Sequence, residues 1–185
     1  MRLLRFLKIG HLKLFSSLSN NRYKKMYLSL IKIRDLIKDT FGDLFKGYWI
    51  DSPNLVIFSE LPALFVAPIT SASNVADTGR DEQTYTIDLG IIIDAKQELL
   101  KYKKEMVGTQ FLTEIMEAKD SSGQLNTNTI LYVLRNNLTL GSNWMMGNTT
   151  SIDYSLNRRV APEGNQWVTK EAVCRFSIIR FTTRT

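Results

Sequence analysis

Apolar and polar residues alternate along Gln83–Asp94, where Tyr85, Ile87, Leu89, Ile91 and Ile93 fall on one side of an extended chain. A period of two held that long marks a strand with one face in a core. Ahead of it, Lys46–Ile50, Leu55–Phe58 and Leu61–Ala67 are apolar enough for three short strands. Asp51-Ser52-Pro53-Asn54 is a turn by composition. Pro62 stands at the start of the third segment, where a missing donor is tolerated. Thr70–Glu82 then breaks the pattern with small polar residues and Gly79. It reads as a long loop, mobile in the free subunit and ordered by an assembly contact.

Elsewhere the period is helical. Residues from about Arg22 to Phe41 carry Tyr27, Leu30, Ile31, Ile33, Leu36, Ile37 and Phe41 on a broad apolar face, and Gly42 is a stop. Ala95–Met106 and Phe111–Ala118 are rich enough in helix formers for a helix and its continuation, closed by Asp120-Ser121-Ser122-Gly123. Thr127 or Asn126 caps a further helix over Asn128–Asn137. The closing segments alternate again. In Thr150–Val160, Ile152, Tyr154, Leu156 and Val160 face one way, and Ser151, Asp153, Ser155, Asn157 and Arg159 face water. Pro162-Glu163-Gly164-Asn165 connects to Trp167–Thr183, with Ala172, Cys174, Phe176 and Ile178 on one face. The order predicts one α/β domain of the α+β type over residues 21–185. Its expected form is a mostly antiparallel twisted sheet on one or two helices, with a C-terminal β-hairpin.

Charge changes the picture at one end only. Nine basic residues and no acid precede Asp35. The remaining 15 basic and 18 acidic residues leave the body at −3, although the whole chain is +6. Residues 1–20 therefore read as a basic amphipathic arm, with a helix over Leu3–Leu18 and a break at Ser19-Asn20-Asn21. Arg5 and Lys8 interrupt its first apolar run, so it lacks the h-region of a secretory signal. The acid-free composition suits a mitochondrial presequence, against which Tyr23–Phe41 continues as an ordinary helix. No apolar run approaches the roughly 20 residues of a membrane span. Cations alone would draw nucleic-acid phosphates, but the arm's many apolar residues fit docking to a partner or an anionic surface better.

Candidate chemistry is sparse. The single histidine, His11, lies in the arm, and Cys174 sits in an alternating strand as a small buried apolar residue. No phosphate-binding loop, CxxC or HExxH occurs. Asp94-Ala95-Lys96 closes a strand in the manner of a Mg²⁺-dependent nuclease, whose carboxylates hold the metal beside a lysine. That pattern needs an upstream acid, for which Glu60 is the candidate. The plainer reading makes Asp94 the N-cap of a following helix. Asp77, Asp81 and Glu82 with Gly79 lack the order of a calcium loop and read as a solvated acidic loop. With Arg80 they are candidate assembly contacts, as are Trp144 and Met145 in the apolar cluster Trp144-Met145-Met146. No catalytic, cofactor or metal residue is assigned.

With these residues in view, the chain resembles tail terminator proteins of tailed bacteriophages. The likeness lies in element order over about Arg22–Phe181: a helix, the segment LPALFVAP at Leu61–Pro68, a polar loop, the strand TYTIDLGIIID at Thr84–Asp94, a helical middle and a closing hairpin. Related neck and head-completion proteins share much of it. The resemblance implies a virion structural protein, assembled in the host cytoplasm, that forms a hexameric ring. Such a ring caps the tail tube and joins it to the neck, in passing contact with DNA in the lumen, without membrane or cofactor. No catalytic residues come with the family. The arm departs from it, as an added contact or the product of an early start codon, Met26 being the alternative start. The alternatives are another neck or head-completion protein, a Mg²⁺-dependent nuclease using Asp94 and Lys96, or a nucleic-acid-binding module using the arm.

Overall fold

The computed structural model describes residues 26–53, 55–95, 107–137, 139 and 144–183. The predicted arm, His11, Lys96 and most of the predicted helix Ala95–Met106 lie outside the described residues. Within them the architecture is α+β, with a five-stranded sheet in the order β1-β2-β3-β5-β4. The strands are β1 (Gly47–Ile50), β2 (Ala63–Val75), β3 (Arg80–Asp94), β4 (Trp144–Val160) and β5 (Gln166–Thr183). The helices are α1 (residues 26–41), α2 (Val107–Glu117) and α3 (Ile130–Asn136).

β1 runs parallel to β2, and every other pairing is antiparallel. The alternation read in β3 is the alternation of the core. Ile87, Leu89 and Ile91 are fully buried against Leu64 and Val66 of β2 and Ala172, Cys174, Phe176 and Ile178 of β5. The helices cover this face. Leu30, Ile33 and Ile37 of α1 recur at helical spacing and are buried, while Leu36 and Phe41 are half-buried. Tyr27, expected on that face, is instead exposed, because the helix turns it away from the sheet. Gly42 ends α1 at φ 52, a left-handed value that costs a glycine little. The cap of α3 is Thr129, whose hydroxyl accepts from the Tyr132 N–H at 3.3 Å. Asn126 and Thr127 precede it in a turn, so neither predicted residue is the cap.

The opposite face carries the largest departures from the pattern. Leu55–Phe58 is no strand, because residues 51–53 and 55–62 form a strap over that face. The strap leaves β1 at one sheet edge and reaches β4 at the other. There Leu55 bridges Val160, and the Val56 N–H donates to the Val160 carbonyl at 3.1 Å. It returns through a 3₁₀ turn, Phe58–Glu60, with Phe58 stacked on Trp167 at 4.3 Å. Val56 and Leu61 close a second small core over Ala63, Phe65, Ala67 and Ile92. Arg159, expected in water, lies beneath the strap, where its guanidinium donates to the Pro53 carbonyl at 3.0 Å.

The predicted loop Thr70–Glu82 is a β-hairpin. Thr70 through Val75 pairs with Thr86 through Asp81 beyond a bulge between Pro68 and Thr70, and only residues 76–79 turn. Its β2 arm is exposed on both faces, so it lacks the apolar alternation that marks a half-buried strand. β4 likewise starts earlier than Thr150, at Trp144. The turn of the closing hairpin lies where expected: Gly164 turns at φ 89, and the Ala161 N–H donates to the Asn165 carbonyl at 2.8 Å.

Candidate assembly surfaces

The packed half of the sheet ends where both covers end. On the helix side burial stops at Tyr85 and Ile178. On the strap side it stops at Asp88, whose carboxylate takes two hydrogen bonds from Arg175, at 2.7 and 2.8 Å. This paired carboxylate raises the Arg175 pKa above its ordinary value. Beyond it the sheet continues as a distal half. Ser73, Gln83, Arg180 and Trp144 share one row across β2, β3, β5 and β4; Ala72, Thr84, Ile179 and Met145 share the next. Apolar side chains stand in solvent here: Ile69 is 46% exposed, Val75 67% and Phe181 42%.

The hairpin tip is locally satisfied. The Asp77 carboxylate accepts from the Gly79 N–H at 2.8 Å and from Arg80 Nε at 2.7 Å. Those bonds, the Gly79 one foremost, hold its pKa below the ordinary value of 3.8. Asp77 and Arg80 thus engage each other first, in an exposed pair worth little to stability. Asp81 and Glu82 belong to β3, opposite Val75 and Asn74, and Glu82 accepts from the Thr84 hydroxyl at 3.2 Å. The structure therefore gathers the four hairpin residues at one end. It places Trp144 and Met145 two strands away at the same level, opposite Arg180 and Ile179 of β5.

At the other end of β4 and β5 a second apolar patch is exposed. Leu156 is 63% exposed beside Val168, with Leu55 and Ile57 of the strap also turned outward. Next to it Thr109, Leu112, Tyr154, Leu156 and Lys170 line a groove of about 170 Å³. That is below the roughly 300–1,000 Å³ of small-molecule sites. The Tyr154 hydroxyl donates to the Glu117 carboxylate at 2.7 Å. Burial first, and then that carboxylate, push the phenol's pKa well up.

Composition alone gave no sign of the polar cluster under the strap. Arg159 donates twice to Glu171, each bond 2.7 Å, and the Thr169 hydroxyl donates to the same carboxylate at 2.9 Å. The Glu171 side chain retains only 2% of its exposure. The carboxylate's hydrogen bonds raise the Arg159 pKa above its ordinary value. The cluster joins β4, β5 and the strap, and all its members are occupied with one another. The only sequence signal was charge inside alternating strands.

Of the residues of the nuclease pattern the structure describes Asp94 and Glu60, while Lys96 lies outside the described residues. Asp94 is buried at the end of β3 opposite Thr169. Glu60 lies in the strap, where its carboxylate accepts from Trp49 Nε1 at 3.0 Å. Its partner is on β1, which β2 separates from β3. Among the described residues no three His, Cys, Asp or Glu side chains gather where they could hold a metal ion. No helix among them is long and apolar enough to cross a membrane. No family model and no curated protein matches the chain.

Proposed function

We propose that the chain is a structural subunit of a phage virion, a tail terminator whose hexameric ring caps the tail tube and joins it to the neck. The observation that carries this reading is the distal half of the sheet. A domain with two covered faces at one end extends strands well past its own core, exposed along β2 and ending in outer edges that no described strand pairs. Sheet that the described residues leave open suits a protein built to meet copies and partners. The element order, similar to that of tail terminators, adds the ring and its partners, the tail tube and neck proteins. A heterologous contact closes into a ring when its rotation divides the circle.

Native mass measurement of the purified full-length chain tests the reading. A six-fold mass, or rings in negative stain that bind isolated tail tubes, is the expected result. A chain that stays monomeric at high concentration and in the presence of tube protein overturns it.

A further inference from the structure

We infer that neighbouring copies join edge to edge, the β4 edge of one copy pairing with the distal β2 edge of the next, so that one sheet runs around the assembly. Three observations place this contact. The first is where each edge is protected. At the packed end β1 covers β2 over Ala63–Val66, and the strap closes β4 at Val160. β4 also carries Asp153, Arg158 and Arg159 there. Beyond Val66 no described strand pairs with the outer side of β2, and none with that of β4 ahead of Val160. Exposed edges are normally blunted by lysine, proline, inward charge or bulges. Thr70–Val75, beyond the bulge at Pro68, and Trp144–Met146, ahead of those in β4, contain none of these.

The second observation is polarity. The antiparallel pairings make β2 and β5 run one way and β3 and β4 the other. A β4 edge set beside a β2 edge in a sheet of constant orientation therefore meets it antiparallel, and the alternation continues from copy to copy. The third is level. Trp144, Met145 and Met146 occupy the same rows as Ser73, Ala72 and Ser71. Two edges at one height join side by side, as a closed belt requires. β4 is bulged between Met146 and Ser151, so its regular run ahead of the bulges is the stretch offered. Both edges are uncharged, and no like charges meet across the contact. The pairing rests on the ring reading, because a β4–β2 contact is heterologous.

Disulfide trapping tests it. Met145→Cys is combined in turn with Thr70→Cys, Ala72→Cys and Asn74→Cys, a register series on one strand face, in the full-length chain. The resident Cys174 is buried and does not compete. Directly opposed strand residues lie within the roughly 4.4–6.8 Å Cα separation that a disulfide spans. One combination should oxidise to a ladder of covalent multimers ending at the mass of the native ring, while the single-cysteine variants stay unlinked. Ala72→Lys should convert the assembly to monomers whose melting temperature matches that of the unsubstituted chain at dilutions where it is monomeric. If native mass reads a ring that no combination cross-links and Ala72→Lys leaves intact, the edge pairing is wrong and the ring reading stands. If Ala72→Cys alone links into dimers, β2 pairs with β2 and the inference falls. A monomer under all conditions removes the ring reading and the pairing with it.

Discussion

Within the single strand β3, Leu89 and Ile91 have no exposure while Arg80, at its other end, stands in solvent. The same contrast runs across the sheet. The packed half has helices on one face, a strap on the other and two carboxylates, Asp88 and Glu171, each paired with an arginine. Among the described residues the distal half has the same backbone ladder and none of these covers. Hydrophobic burial holds the first, at about 25 cal/mol for each Å² of apolar surface removed from water. Backbone pairing and small cross-strand contacts hold the second, each contact worth roughly 0.2–1 kcal/mol. One sheet therefore joins a stable domain to a surface whose stability depends on what lies beside it.

The contrast breaks most visibly under truncation. Ile91→Ala removes a fully buried side chain and should cost about 2–5 kcal/mol in urea unfolding. Val75→Ala in the distal half should stay within about 0.5 kcal/mol. Equal losses would show that the distal half is packed after all. The buried ion pair sharpens the point. Arg159→Ala strands the Glu171 carboxylate and should cost on the order of 2–4 kcal/mol, below a wholly buried pair because Arg159 keeps 20% of its exposure. Arg80→Ala at the hairpin tip should leave the unfolding curve in place.

Glycines give a finer comparison. A Cβ on Gly90 would lie 2.3 Å from the buried Phe65 ring, so Gly90→Ala should cost about 1–3 kcal/mol through overpacking. At Gly79 the nearest atom is 3.8 Å away, and Gly79→Ala should be silent in the same assay. The smallest effect is a titration. Asp77 has a lowered carboxyl pKa in the folded tip, so its contribution is complete above the ordinary value of 3.8 and is lost as pH falls through the folded one. The Gly79 amide shift should follow that acid step, while Ile91 and Phe176 signals stay unmoved through it.

What the chain declared in advance follows the same division. Tyr85 through Ile93, Ala172 through Ile178, the helix around Ile33 and the turn at Gly164 were legible because one buried face imposes a period on the residues. Thr70–Val75 reads as a loop because a strand exposed on both faces has no period to show; its pairing with Asp81–Thr86 is a tertiary fact. Leu55–Phe58 reads as a strand because a short apolar run suits a strap as well as a ladder. Candidate contacts at Asp77 and Arg80 were found from composition, but their mutual ion pair was not. The Arg159–Glu171 cluster stayed hidden because nothing local marks the strap that covers it.

Hydrogen exchange resolved to single amides tests the central claim most directly, comparing the full-length protein at dilutions where native mass reads monomer and assembly. The account predicts that protection of Leu64–Ala67 and Ile87–Ile93 is the same in both, while protection of Thr70–Val75 and Trp144–Met146 rises sharply on assembly. Equal protection of the two halves in the monomer, with no gain at either distal edge on assembly, would contradict it.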